Sequence, residues 1–86
     1  MVRVLDLSSP RFRRALAAFS PRGTAEYKAL FDVLRELSAA HELPGPDDVA
    51  VALPMSVMSR PIPGTHVAVV YVAGPDVLHV VALIQR

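Results

Sequence analysis

The residues that could carry chemistry are few and scattered. They are three histidines, His41, His66 and His79, nine basic residues of which eight are arginine, and an acidic pair, Asp47-Asp48. Metal-free cleavage of a phosphodiester needs a base, an acid and positive charge on the phosphate. Only His66 and His79 fall on a strand pair that could present them together. Strict alternation puts His66 opposite Leu83 and His79 opposite Val70, four residues apart, or roughly 13 Å at strand rise. That span is too wide for one phosphate or one metal, so each histidine reads as a rim or partly buried residue. His41 follows a helix and reads as a helix C-terminal residue. Three separated histidines and no cysteine give no metal site. Asp47-Asp48 reads as loop capping, not as an acid pair.

The arginines are placed unevenly. Residues 1–28 hold six basic residues against Asp6 and Glu26, a net of +4. Residues 29–58 hold Arg35 against five acidic residues, a net of −4. Arg11, Arg13 and Arg14 form a basic helix edge, which reads first as a solvated face. In a functional role they would touch a nucleic-acid backbone or an acidic partner segment.

The elements that must position these groups are legible along the chain. Val2 to Leu7 begins with period-two alternation, a first strand. Ser9 can cap a helix with Pro10 at its first position, and Phe12, Leu16 and Phe19 make one helical stripe. Thr24 caps a second helix, in which Tyr27, Leu30, Phe31, Leu34 and Leu37 recur at three- and four-residue steps to about Ala40. A link of about four residues makes the two an antiparallel helical hairpin. Val49 to Leu53 is a short strand. Met55 to Pro63 reads as an edge or irregular segment, because Pro54, Pro61 and Pro63 exclude a regular central strand.

Thr65 to Arg86 is the strongest signal. Two valine-rich runs flank Ala73-Gly74-Pro75-Asp76, a β-hairpin with Val72 opposite Val77, Val70 opposite His79 and Ala68 opposite Val81. One face holds Val67, Val69, Tyr71, Leu78, Val80, Ala82 and Ile84 and should receive the helices. The other holds His66, Ala68, Val70, Val72, Val77, His79, Val81, Leu83 and Gln85. Its apolar middle reads as an exposed binding patch. The order β-α-α-β-β-β makes a single α+β domain over residues 1–86, with the helical hairpin on one face of a mostly antiparallel sheet. An 86-residue chain that is 52% hydrophobic has more apolar surface than so small a domain buries, which implies a partner or an oligomer. No apolar run approaches the roughly 18 residues of a membrane span. The start of the chain runs directly into a strand pattern, which implies a cytoplasmic protein.

The arrangement resembles the RelE/ParE superfamily of bacterial toxin–antitoxin toxins over nearly the whole chain. The likeness rests on the element order, on Phe12 with Leu16, and on Tyr27-x-x-Leu30 with Val33-x-x-Leu37. It rests also on the ending: Gly64, a valine strand closing at Tyr71, the Gly74-Pro75-Asp76 turn, and Val77 to Arg86. The resemblance implies a growth-inhibiting toxin neutralised by a cognate antitoxin, with no cofactor. Its target would be mRNA on the ribosome or DNA gyrase. Antitoxin contact is implied at Ala68, Val70, Val72, His79, Val81 and Leu83. Arg60 and Arg86 stand where the nuclease branch places catalytic cations, although Arg60 is about two residues further from the hairpin than the pattern has it. By strict alternation Arg86 belongs on the helix-facing side. Ala68 replaces the strand arginine of that branch, and no tyrosine or histidine follows Arg86. These departures favour a gyrase-type toxin, or a degenerate module acting as a homodimer or adaptor, over an RNase.

Overall fold

The computed structural model describes residues 2–19, 21–52 and 57–85. Its elements are β1 (Val4–Asp6), α1 (Pro10–Ala17), α2 (Ala25–Ala39), β2 (Val49–Ala52), β3 (Val57–Pro61), β4 (Val67–Ala73) and β5 (Val77–Gln85). The sheet order is β1-β5-β4-β3-β2. The fold is therefore a small α+β arrangement of two helices and a five-stranded mixed sheet. β1 runs parallel to β5, and every other neighbouring pair is antiparallel.

Both helices begin as their sequences dictate. Ser9 accepts a hydrogen bond from the Phe12 N–H with Pro10 at the first helical position, and Thr24 accepts one from the Tyr27 N–H. The first helix ends at Ala17, so the link to Ala25 is longer than the four residues expected. Phe12, Leu30, Val33, Leu34 and Leu37 pack with Val69, Tyr71, Leu78 and Val80 into one core between the helices and one face of the sheet.

β3 corrects the sequence reading. It is a regular strand between β2 and β4 and not an edge. Pro61 is tolerated because it is the last residue of the strand, where a missing N–H interrupts little of the ladder. Pro63 lies beyond the strand, in the turn.

The terminal hairpin has a different register from the one expected. Val72 pairs with His79 and Ala73 with Leu78, while the Gly74 N–H donates to the Val77 carbonyl at 2.8 Å. The turn is thus centred on Pro75-Asp76, one residue later than the pairing of Val72 with Val77 assumed. Between Tyr71–Val80 and Val70–Ala82 the register shifts by one residue. Val81 is the extra residue of this bulge, and its carbonyl accepts a hydrogen bond from the Ser9 hydroxyl at 2.9 Å. One side chain therefore caps α1 and satisfies the bulge, 72 positions away in sequence. Beyond the bulge the faces exchange. Leu83, opposite Val69, packs against the core, and Ala82 and Ile84 take the open face.

β1 is anchored by polar contacts more than by length. The Arg3 N–H donates to the Ser38 carbonyl at 2.8 Å, and the Ser38 hydroxyl donates back to the Arg3 carbonyl at 2.6 Å. The Arg3 guanidinium reaches the carbonyls of Ala40 (2.6 Å) and Gly74 (2.8 Å). It thereby satisfies an orphan carbonyl at the end of α2 and ties β1 to the hairpin turn. No helix among the described residues is long and apolar enough to cross a membrane.

Candidate functional site

Among the described residues, three places concern the side chains that sequence marked as chemically capable. The first lies under the 43–48 loop. Asp48 has a fully buried side chain and takes Arg60 Nε on Oδ1 at 2.6 Å and Arg60 Nη2 on Oδ2 at 3.0 Å. The Gly45 N–H donates to Oδ2 at 2.7 Å, and the Tyr71 hydroxyl donates to the same oxygen. Burial opposes charge on Asp48, but the hydrogen bonds from Arg60, Tyr71 and Gly45 outweigh it and hold the carboxyl below its usual range. Burial, followed by the bond to Asp48, pushes the Tyr71 phenol well above its ordinary value. The bond to Asp48 raises Arg60. Arg60 pairs with Val69 in register and so lies on the helix side of the sheet. Its charge is already matched by Asp48, an arrangement suited to fixing the loop. Asp48 was assigned only a capping role from sequence. The part it plays with Arg60 and Tyr71 depends on pairing across 12 and 23 residues, which no local pattern signals.

The second is the open face of the sheet. Ala68, Val70 and Ala82 are 1%, 6% and 3% exposed, so the apolar middle is not the broad exposed patch expected. Small side chains lie in a groove of about 250 Å3 lined by Val51, Val57, Val70, Val81, Ala82 and Ile84, with Arg11 reaching it from α1. Val72 and Val81 are half-buried, and His79 is exposed. Of the six residues assigned to partner contact, five belong to the open face or its bulge. Leu83 is the exception, for the bulge turns it into the core.

At the β1 side of this face His79 Nδ1 lies 2.8 Å from Asp6 Oδ2. Asp6 Oδ1 accepts from the Ser8 N–H at 3.0 Å and the Ser8 hydroxyl at 2.6 Å. The Ser8 bonds first, then His79, lower the Asp6 carboxyl to about 2. An ionised, anchored carboxylate holding one imidazole nitrogen leaves the other outward, the arrangement of an oriented proton carrier. Sequence reasoning named His79 but missed Asp6, because the two meet only through the parallel pairing of β1 with β5. His66 is exposed in the turn before β4 and takes no part.

The third is the basic face. Arg11, Arg13 and Arg14 are all exposed on α1, and Arg13 Nε donates to the Leu7 carbonyl at 2.8 Å. Arg11 turns to the open-face groove. Arg13 turns the other way, to a cleft of about 480 Å3 with Leu16, Ala17, Phe19, Pro21, Arg22 and Tyr27. Arg86, the other assigned catalytic cation, lies outside the described residues. Among the described residues no cluster of three or more metal-binding side chains occurs.

No family model, curated protein or solved structure matches the chain.

Proposed function

We propose that this chain is a RelE/ParE-like growth-inhibiting toxin that works through the open face of its sheet and is neutralised by an antitoxin segment covering that face. The observation that carries the reading is the division of the sheet. One face is closed by α1 and α2, and the other keeps a narrow apolar groove whose only arginine among the described residues is Arg11. Such a groove fits the apolar face of a helix or a strand from a partner. The valine strands around Gly74-Pro75-Asp76 support the same family, while the element order departs from β-α-α-β-β-β by one further strand, β3.

Within that family the geometry supports target binding over RNA cleavage. Arg60 is committed to Asp48, and Ala68 stands where the nuclease branch carries a strand arginine. The gyrase-poisoning mode needs neither. A second reading, a degenerate module that pairs with its own copy, is favoured by one observation. The large apolar residues most exposed among the described ones are Val2 and Val4, in and beside β1, and Val49 and Val51 in β2, the two outer strands.

Induction in a sensitive bacterial host, with and without the neighbouring reading frame, tests the proposal. Growth arrest rescued by the neighbour is the expected result. Failure of DNA supercoiling before protein synthesis marks the gyrase mode, and the reverse order marks mRNA cleavage. A folded product that leaves growth untouched overturns the toxin reading, and a dimeric mass would then favour self-pairing.

A further inference from the structure

The cleft between the end of α1 and the start of α2 has a composition that the open face lacks. Its lining combines two guanidinium groups, Arg13 and Arg22, with two aromatic rings, Phe19 and Tyr27, and holds no carboxylate among the described residues. Sequence periodicity assigned both rings to the core stripe. In the structure Phe19 does pack against the core, Tyr27 does not belong to it, and both rings are half-buried and line an open cleft. Tyr27 is backed by Phe31, with ring centroids 4.9 Å apart, which fixes the ring from within its own helix. Arg13 is held by its Nε bond to the Leu7 carbonyl, so its guanidinium is positioned before any ligand arrives. No described residue forms an ion pair with Arg22. Arg14 stays exposed on the same helix and extends the positive charge past the cleft.

We propose that this cleft binds single-stranded nucleic acid, with Arg13 and Arg22 on consecutive phosphates and a base against Tyr27 and Phe19. The chemistry is specific to that class. A planar guanidinium matches phosphate oxygens, and an aromatic ring offers a stacking surface that every base can use. A duplex has its bases already stacked and gives the rings nothing. A volume of about 480 Å3 admits a nucleotide. The inference stands apart from the toxin reading, since it concerns a surface away from the open sheet face. Growth arrest and nucleic-acid binding can therefore fail separately.

The test is fluorescence anisotropy of the whole chain with a labelled single-stranded 12-mer RNA, a hairpin duplex of equal charge, and an acidic peptide carrying aromatic residues. Binding of the single strand at least tenfold tighter than the duplex is expected. With two or three phosphates neutralised, by Arg13 and Arg22 with or without Arg14, affinity should fall roughly 7- to 20-fold between 50 and 200 mM salt. Arg22→Ala should flatten the logarithmic salt slope by about 0.7. Tyr27→Leu should weaken binding roughly tenfold and leave that slope unchanged. Circular dichroism verifies folding of each variant. Should Tyr27→Leu not fold, Arg13→Ala and Arg22→Ala, both at exposed positions, decide the matter. Absence of salt-dependent binding, equal binding of the duplex, an unchanged slope in Arg22→Ala, or preference for the acidic peptide each overturns the proposal.

Discussion

Tyr71 and Arg60 donate to the same carboxylate oxygen, Oδ2 of Asp48. Tyr71 belongs to β4, Arg60 to β3, and Asp48 to the loop that enters β2. A fully buried charge thus joins three consecutive segments of the sheet, and Gly45 closes the loop onto it. Four donors from Arg60, Tyr71 and Gly45 meet the Asp48 carboxylate, and no described buried side-chain polar atom lacks a partner. The cluster is a complete network, the condition under which a buried ion pair is tolerated.

Removing one member of that network should therefore be costly. Asp48→Ala leaves Arg60 and the Tyr71 hydroxyl unpaired, and a loss of about 3 kcal/mol is expected in urea unfolding. For a domain of this size that corresponds to a fall in Tm of about 12–24 °C. Tyr71→Phe keeps the ring in the core and removes only the hydroxyl, so about 1–2 kcal/mol is expected. Equal, small effects from both substitutions would show that the charge contributes nothing.

The same groups set the pH limits of stability. Asp6 and Asp48 are ionised in the folded chain at pH values where unfolded carboxyls are protonated. Their contribution is full above the unfolded value of about 4; that of Asp6 is lost as pH falls toward about 2, and that of Asp48 as pH falls through its own lowered value. Tyr71 is shifted upward, so its contribution is full below about pH 10 and is lost as pH rises beyond it. Urea midpoints measured from pH 2 to 11 should trace a plateau with both shoulders. Tyr71→Phe should lower the plateau and remove the part of the alkaline shoulder that tyrosinate formation produces.

What could be read from sequence follows the range of the interactions. The caps at Ser9 and Thr24, the stripes of α1 and α2 and the existence of the β4–β5 hairpin are local and were legible. β3 was obscured because Pro54, Pro61 and Pro63 together argue against a strand, whereas β3 contains only Pro61, as its last residue. The sites were less legible than the fold. Asp6 with His79, and Asp48 with Arg60 and Tyr71, are joined only by long-range pairing. The bulge at Val81 leaves no trace in the run Val77 to Ile84, where nearly every residue on both faces is apolar.

That bulge makes a prediction of its own. Because Leu83 faces the core and Ile84 faces the groove, Leu83→Ala should cost about 2 kcal/mol, and Ile84→Ala less than half of that. Unbroken alternation reverses the order. Ser9→Ala should add to the loss, since it removes the cap of α1 and the bond to the Val81 carbonyl together, for about 1–2 kcal/mol. Urea unfolding of the three variants separates the two registers without any knowledge of function.

The His79–Asp6 pair makes a prediction about one proton. An ionised carboxylate can only accept, so the imidazole nitrogen 2.8 Å from it must donate. Neutral His79 should therefore carry its hydrogen on Nδ1 and leave Nε2 as an acceptor directed away from Asp6. Asp6→Ala removes the partner and lets the ring revert toward the tautomer with hydrogen on Nε2. Long-range 1H–15N correlation spectra of the neutral imidazole distinguish the two forms by which nitrogen has the pyridine-like shift. Expected is Nε2 in the native chain and a shift of population toward Nδ1 in Asp6→Ala. A native spectrum already dominated by the Nε2–H form would mean that the pair is broken in solution. The open face would then have no oriented proton carrier among its described residues. An unchanged spectrum in Asp6→Ala would show that something other than the carboxylate fixes the ring.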